Sequence, residues 1–397
     1  MGKKHSVPKL CVYLAPVCVI GQGSIMNSLT RAINILAFNL LKKLCEENLE
    51  NVIFSPPSIS LVLAMVLQGA KNDTAIQITQ LISLGNFRNT DMNFSSLLTE
   101  MNNPHTLYLL ESANRIFGEN ALNFLPSFKK SCEKFYNSVL EDVCFSEEAE
   151  TIRKHINAWV AEKTEGTIFE TLPENSVNPL SLLIFVNTIN FKLIWKNEVE
   201  PMKKILPSHK EKNKMAKFMV KEGIFLGFYI EELGANVCRS TYNEKEWNII
   251  FVFPVDDGKK MEKGLTYEIL IAWMDPESVA LMEILHNQLF LPKIKVEKSY
   301  NMAHILCNLG ISNAFHEDKA DFSGLSTLKE MYLSSVFHSS SMEFNEEGIK
   351  ASAATAAAEI PATTKREREL KSQNFFLFFI WSQKINSILF CGRVSVP

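Results

Sequence analysis

Cysteine and histidine are the first side chains to weigh for chemistry. The eight cysteines, Cys11, Cys18, Cys45, Cys132, Cys144, Cys238, Cys307 and Cys391, lie far apart, with no CxxC pair and no regular framework. That usage fits a reducing compartment better than a disulfide-stapled domain, and each thiol reads as a small buried hydrophobe. Eight histidines are spread without metal-ligand spacing, so neither a metal nor any other cofactor is expected. No GxSxG elbow, HExxH helix, GxxxxGK[ST] phosphate loop or complete GxGxxG fingerprint occurs, and Gly21-Gln22-Gly23 is too short a match to weigh. With no nucleophile and base to nominate, the chain is expected not to be an enzyme.

A different kind of chemistry is suggested by the segment from about Glu346 to Asn374. It begins Glu346-Glu347-Gly348-Ile349-Lys350-Ala351-Ser352-Ala353-Ala354-Thr355-Ala356-Ala357-Ala358, continues Glu359-Ile360-Pro361-Ala362-Thr363-Thr364, and then carries the charged run Lys365-Arg366-Glu367-Arg368-Glu369. Large apolar residues do not recur at any regular spacing, yet strongly apolar chain lies beyond it. Long irregular segments inside a folded chain are usually functional. Composition alone also fits an exposed alanine-rich helix, because alanine is the best helix former.

The surrounding elements bound what can position this segment. Hydrophobic residues make up 46% of the 397 and charged residues 21%, enough apolar area for a globular core. The formal net charge is -3 with scattered basic residues, so the concentrated positive field needed for nucleic acid is missing. No run reaches the ~18 uninterrupted apolar residues of a membrane span. Residues 1–25 contain Lys3, Lys4 and an apolar stretch broken by Pro16, and they read as an appendage or leader outside the fold. From Met26, apolar residues at Leu29, Ile33, Leu36, Ala37, Leu40, Leu41 and Leu44 follow helical spacing. Helical patterns lead as far as Gly166, including one from about Ala149 to Lys163. From Ser181 onward, short continuous apolar runs such as Ile249 to Phe253, Phe375 to Trp381 and Ser387 to Phe390 read as strands buried on both faces. A helical front half and a strand-rich back half without a linker predict one mixed α+β domain over residues 26–397.

Over that span the sequence resembles the serpin family, specifically its intracellular ovalbumin-like branch, clade B, and within it the granzyme-inhibiting members. The resemblance rests on Asn51-Val52-Ile53-Phe54-Ser55-Pro56-Pro57-Ser58-Ile59-Ser60, on Met65-Val66-Leu67-Gln68-Gly69-Ala70-Lys71, and on Ala113-Asn114-Arg115-Ile116-Phe117-Gly118. It continues through Ile156 to Ile168, Val186-Asn187, Leu291-Pro292-Lys293, Asp321-Phe322-Ser323-Gly324, Asn345-Glu346-Glu347-Gly348, and Asn386 to Arg393. Each block is weak singly; their order and spacing are specific.

The resemblance implies three β-sheets, eight to nine helices and an exposed reactive-centre loop at about 346–374. It implies a monomeric inhibitor of serine proteases. The protease attacks the loop as a substrate, and the cut loop enters the large sheet as a new strand before the acyl-enzyme is hydrolysed. Counting as the family does puts the reactive bond at Ala362-Thr363, a small residue suited to an elastase-like or granzyme-like protease. A shifted register would offer Lys365, Arg366 and Arg368 to a trypsin-like one. The hinge is Gly348, Ile349, Lys350, Ala351, Ser352, Ala353, Ala354 and Thr355. Its small side chains suit a strand that must enter packed protein, where extra bulk costs about 1–3 kcal/mol per site. Ser55, Ser58, Asn187 and His338 correspond to the family's shutter, and Trp195 to its breach tryptophan.

Several positions depart from the family pattern. Ile349 stands where a threonine or smaller residue is usual, Lys350 where glutamate is, Ser339 where a lysine follows the shutter histidine, and Leu193 where a glycine precedes the tryptophan. Phe375 replaces a proline, and the usual Leu-Pro-Tyr element is missing around Asn236 to Tyr242, which predicts a weakened core there. The hinge departures support a second reading, a non-inhibitory serpin cleaved as a substrate or acting as a binding or carrier protein. The expected compartment is the cytoplasm, with an extracellular fraction if export occurs.

Overall fold

The computed structural model describes residues 25–48, 50–82, 90–102, 108–193, 200–201, 206–207, 215–216, 218–242, 247–274, 283–292, 294–328, 331–344 and 375–395. Helix α1 (Ile25–Glu47) buries the predicted stripe, with Leu29, Ile33, Leu36, Leu40 and Leu44 all at 2% exposure or less. After β1 (Val52–Phe54), helix α2 (Pro56–Gly69) starts at Ser55, whose side chain accepts from the Ser58 amide. Two prolines in its first turn sit where their missing N–H groups are not needed. Its flanks are buried almost all round, so α2 is a core helix.

Helices α3 (Asn72–Leu81) and α4 (Thr90–Met101) precede β2 (Tyr108–Glu119), a twelve-residue strand inside the half that reads as helical. Its polar Ser112 and Asn114 mask the alternation that marks a strand. Helix α5 (Pro126–Tyr136), strand β3 (Val139–Val143) and helix α6 (Phe145–Lys163) follow. The first amides of α6, on Phe145 and Ser146, donate to the Glu119 carboxylate at 2.7 and 3.2 Å, which ties the helix start to the end of β2. Residues 164–182 then connect to β4 (Leu183–Leu193).

The second half supplies β5 (Glu200–Pro201), β6 (Leu206–Pro207), β7 (Met215–Ala216), β8 (Phe218–Ile230), β9 (Ala235–Tyr242), β10 (Trp247–Pro254), α7 (Lys259–Gly264), α8 (Tyr267–Met274), β11 (Glu283–Pro292), β12 (Ile294–Asn301), α9 (Ala303–Asn308), β13 (Ser335–Phe344), β14 (Phe375–Ser382) and β15 (Ser387–Ser395). Among the described residues there are thus nine α-helices and three sheets. An eight-stranded sheet runs β1-β15-β14-β10-β9-β8-β11 with β5 beside β8, a five-stranded sheet runs β12-β13-β4-β2-β3, and β6 pairs with β7.

In β10 every residue is buried, and β14 and β15 are buried but for one end residue each. That explains their continuous apolar runs. Strand β9 forms despite its unusual sequence, with Val237, Cys238, Arg239 and Ser240 buried, so the weakening expected there is not seen in the backbone pairing. One core lies between the two large sheets and the helices around them. A second, smaller one lies between α6 and the outer face of the five-stranded sheet, built on Phe117, Trp159, Ile184, Val186 and Phe337.

Candidate functional site

The five-stranded sheet contains one junction between strands that are distant in sequence and parallel. Strand β13 pairs with β4 from Ser335↔Ile184 to Glu343↔Lys192. The chain leaves the far end of this seam at Phe344 and re-enters the described structure at Phe375, in the other large sheet. The segment between them carries the residues expected from the sequence to be the hinge, Gly348 to Thr355, the expected reactive bond Ala362-Thr363 and the basic run. All of these lie outside the described residues, as does Trp195.

On the inner face of the seam, four residues named from the sequence meet. Asn187 on β4 and His338 on β13 are register partners. Their side chains join at 2.6 Å, Nδ1 of His338 to Oδ1 of Asn187. The opposite ring nitrogen, Nε2, accepts the backbone N–H of Ser55 at 3.2 Å. An imidazole that accepts at Nε2 must carry its proton on Nδ1, so the neutral tautomer that donates to Asn187 is selected. Burial pushes the His338 pKa down to about 3, because the charged ring would have no water around it. Ser55 caps α2, and its Oγ accepts the Ser58 amide at 3.4 Å.

Ser112 and Asn114 on β2 complete the cluster and were not singled out from the sequence. The Asn187 amide donates to Asn114 Oδ1 at 2.7 Å and approaches Ser112 Oγ at 3.5 Å, while Ser112 Oγ lies 3.4 Å from Ser58 Oγ. The signal available was their spacing of two along a strand, which puts both on one face. Ser340, two residues beyond His338, donates to the Ile53 carbonyl at 2.9 Å and so ties β13 to β1.

This cluster does not have the arrangement of a catalytic base and nucleophile. His338 Nε2 is occupied by a backbone N–H rather than a hydroxyl, and a ring held to about 3 is a poor proton acceptor. What the cluster can do is hold β4, β13, β2 and the start of α2 in one mutually satisfied arrangement. Separating β4 from β13 breaks the His338–Asn187 bond and leaves buried polar groups unpaired at about 1–3 kcal/mol each. The inner-face cluster can therefore act as a cooperative latch, because opening the junction loses several of its bonds together.

A family model described as serpin, serine protease inhibitor, matches residues 31–397. The chain belongs to the serpin family. Human Serpin B8 is 44% identical over 377 residues, spanning 94% of this serpin and 100% of that protein. The leukocyte elastase inhibitor of Equus caballus is 35% identical over 382 residues, with the same coverage of 94% and 100%. Uncleaved ovalbumin superposes with a TM-score of 0.80 at 25% identity, covering 92% of this serpin and 99% of that chain. The fold is the serpin fold, and the relatives bear out the ovalbumin-like branch read from the sequence. In this serpin, the seam joins β4 to β13, the strand that the alanine-rich segment follows in the sequence.

Proposed function

We propose that this serpin inhibits serine proteases as a suicide substrate, with segment 346–374 as the reactive-centre loop and the β13–β4 seam as the place it enters. The observation that carries this reading is the direct parallel pairing of β13 with β4. A segment that turns back after Phe344 runs antiparallel to β13, and therefore antiparallel to β4 as well. Once inside, it replaces one ladder of backbone hydrogen bonds by two. Each added bond contributes about 0.5–1.5 kcal/mol net, so a long insertion provides a large driving force that the uncut loop cannot reach. The closed form is a kinetic trap whose stability is expressed as a rate.

Ser55, Ser58, Asn187 and His338 act as the shutter that must part, and Gly348 to Thr355 as the hinge that enters first. Ala362-Thr363, following Pro361, is the reactive bond, and a small residue there suits an elastase-like or granzyme-like protease. A relative bearing the name of an elastase inhibitor supports the first choice. The protein acts as an inhibitor and not as an enzyme, as a monomer, in the cytoplasm. The domain comprises residues 26–397, a reading supported by the family model that matches residues 31–397. Ile349 and Lys350 favour a second reading, in which entry is too slow and the loop is simply cut.

Incubation with an elastase-like serine protease separates the two readings. The inhibitor gives a detergent-resistant covalent complex, and its nicked form melts well above the intact one. Clean cleavage with no complex and an unchanged melting temperature sinks the first reading.

A further inference from the structure

The shutter occupies the inner face of the seam. Strand side chains alternate, so the residues next to Asn187 and His338 point to the outer face, on the side of α6. The lower part of that face is apolar, with Ile184, Val186 and Phe337 in the smaller core. Its upper part is polar yet buried: Thr188 is the register partner of Ser339 and Asn190 that of Ser341, and all four are at 2% exposure or less.

Two of these four have unmet hydrogen-bonding capacity. Ser341 Oγ donates to Asn190 Oδ1 at 2.7 Å, directly across the seam. Ser339 Oγ donates to Thr171 Oγ1 at 2.9 Å and lies 2.9 Å from Ser299 Oγ on β12. The Asn190 amide nitrogen and the Thr188 hydroxyl have no partner among the described residues. They sit two residues apart on one strand and face the same way. Buried polar groups are rarely left unpaired, because the cost of desolvating them is then unmet, and two side by side point to a polar group that arrives later.

The alanine-rich segment matches this face in length and in pattern. The run Ile349 to Ala358 has ten residues, as does β13, and the four residues 345–348, ending in Gly348, are a common length for a turn joining antiparallel strands. Alternate residues of the run form two rows. Lys350 does not fit among Asn187, Ile189, Phe191 and His338, which are buried and offer no carboxylate to pair its charge. Lys350, Ser352, Ala354, Ala356 and Ala358 therefore take the outer face. A four-residue turn then sets Ser352 beside Ser341 and Asn190, Ala354 beside Ser339 and Thr188, and Ala356 beside the apolar Phe337 and Val186. The one hydroxyl of this row falls where the polar capacity is. Entry also parts β4 from β13 by one strand spacing, about 4.8 Å, which breaks the Ser341–Asn190 bond. A serine hydroxyl placed between them, with one proton and two lone pairs, can donate to Asn190 Oδ1 and accept from Ser341 Oγ.

We propose that Asn190, Thr188 and Ser341 form a socket for the hydroxyl of Ser352, and that filling it sets the register in which segment 349–358 comes to rest between β4 and β13. Asn190 and Thr188 are positioning residues for the inserted strand. This inference rests on the suicide-substrate reading above and adds to it the side chain by which the strand is recognised.

The full chain is nicked with an elastase-like protease, and the unfolding of nicked and intact protein is followed in guanidinium. Ser352→Ala should lower the folded-to-unfolded ratio of the nicked form about five-fold, the worth of one net hydrogen bond, and leave the intact form unchanged. Ser352→Thr, which keeps the hydroxyl, should behave like the parent. Ser352→Ala combined with Ala351→Ser turns the hydroxyl to the other face and should not restore the loss. In an Asn190→Ala, Thr188→Val background the effect of Ser352→Ala should largely disappear. An equal effect on nicked and intact protein, or an undiminished effect in that background, overturns the socket. If nicking stabilises the parent while Ser352→Ala changes nothing, the socket falls and strand insertion stands. If nicking stabilises no variant, the suicide-substrate reading falls and the socket with it.

Discussion

Acidification should loosen this serpin through one imidazole. His338 is held to about 3 in the folded protein, because it is buried between Ser55 and Asn187 with no water to solvate a charge. In the unfolded chain a histidine titrates near 6.5. As pH falls below that value the unfolded chain takes up a proton that the folded one refuses, so the unfolded state is favoured. The contribution is fully present above pH 6.5 and is lost progressively between 6.5 and about 3. From pH 7.5 to 5.0 the linkage amounts to about 2 kcal/mol.

The control is His338→Asn, which retains a donor toward Asn187 but cannot titrate. Losing the acceptor for the Ser55 amide lowers its stability at every pH by about 1–3 kcal/mol. The first urea transition of both proteins is followed by tryptophan fluorescence from pH 7.5 to 5.0, and the difference between them is plotted. The other histidines contribute to both curves and cancel. The gap should narrow by about 2 kcal/mol as pH falls. Parallel curves would mean that His338 takes up its proton in the fold over the same pH range as in the unfolded chain, and the depressed pKa argued from its burial would be wrong.

How far the sequence reveals this molecule depends on which kind of signal each part carries. Strands β10, β14 and β15 were legible because continuous apolar runs mark strands covered on both faces, and α1 because its stripe repeats at helical spacing. Strand β2 was not, since Ser112 and Asn114 sit where alternation calls for apolar residues, and β13 hides the run His338-Ser339-Ser340-Ser341 in the core. These are positions where a buried polar network replaces hydrophobic contact, and periodicity is blind to them. The resemblance to serpins supplied Ser55, Ser58, Asn187 and His338, but Ser112, Asn114 and Thr171 emerge only from strand register and packing. Ser339 illustrates the point: it looks like a loss where the family has lysine, yet its hydroxyl has two partners at 2.9 Å. Phe375 likewise replaces a proline and lies beneath the Arg393 guanidinium, 5.6 Å from ring centroid to Cζ.

Arg393→Ala should lower stability by about 2 kcal/mol, less than for a fully buried ion pair because Glu262 keeps a quarter of its side chain exposed; the thermal midpoint reports it. The lost contacts are the 2.8 Å pair with Glu262 and the bonds to the Glu50 and Asn48 carbonyls. Burial pushes the Cys45 and Cys132 thiols up to about 12, so a thiol reagent at pH 8 should label the half-buried Cys144 and Cys307 before the buried Cys45, Cys132, Cys238 and Cys391, with peptide mapping as the readout. The last perturbation is at the hinge. If the proposed loop insertion operates, Ile349 is the first residue to enter, and its branched side chain has to pass between β4 and β13, whose inner faces are already filled at Asn187, Ile189, Phe191 and His338. Overpacking by about 1–3 kcal/mol slows entry by roughly five- to more than a hundred-fold if it acts fully in the transition state, while hydrolysis of the acyl-enzyme is unaffected. Ile349→Thr should therefore shift the outcome with an elastase-like protease from cut product toward covalent complex, read as the ratio of the two bands on a denaturing gel. An unchanged ratio would show that the size of the first entering residue does not govern the partition, and the explanation of the hinge by volume would have to be abandoned.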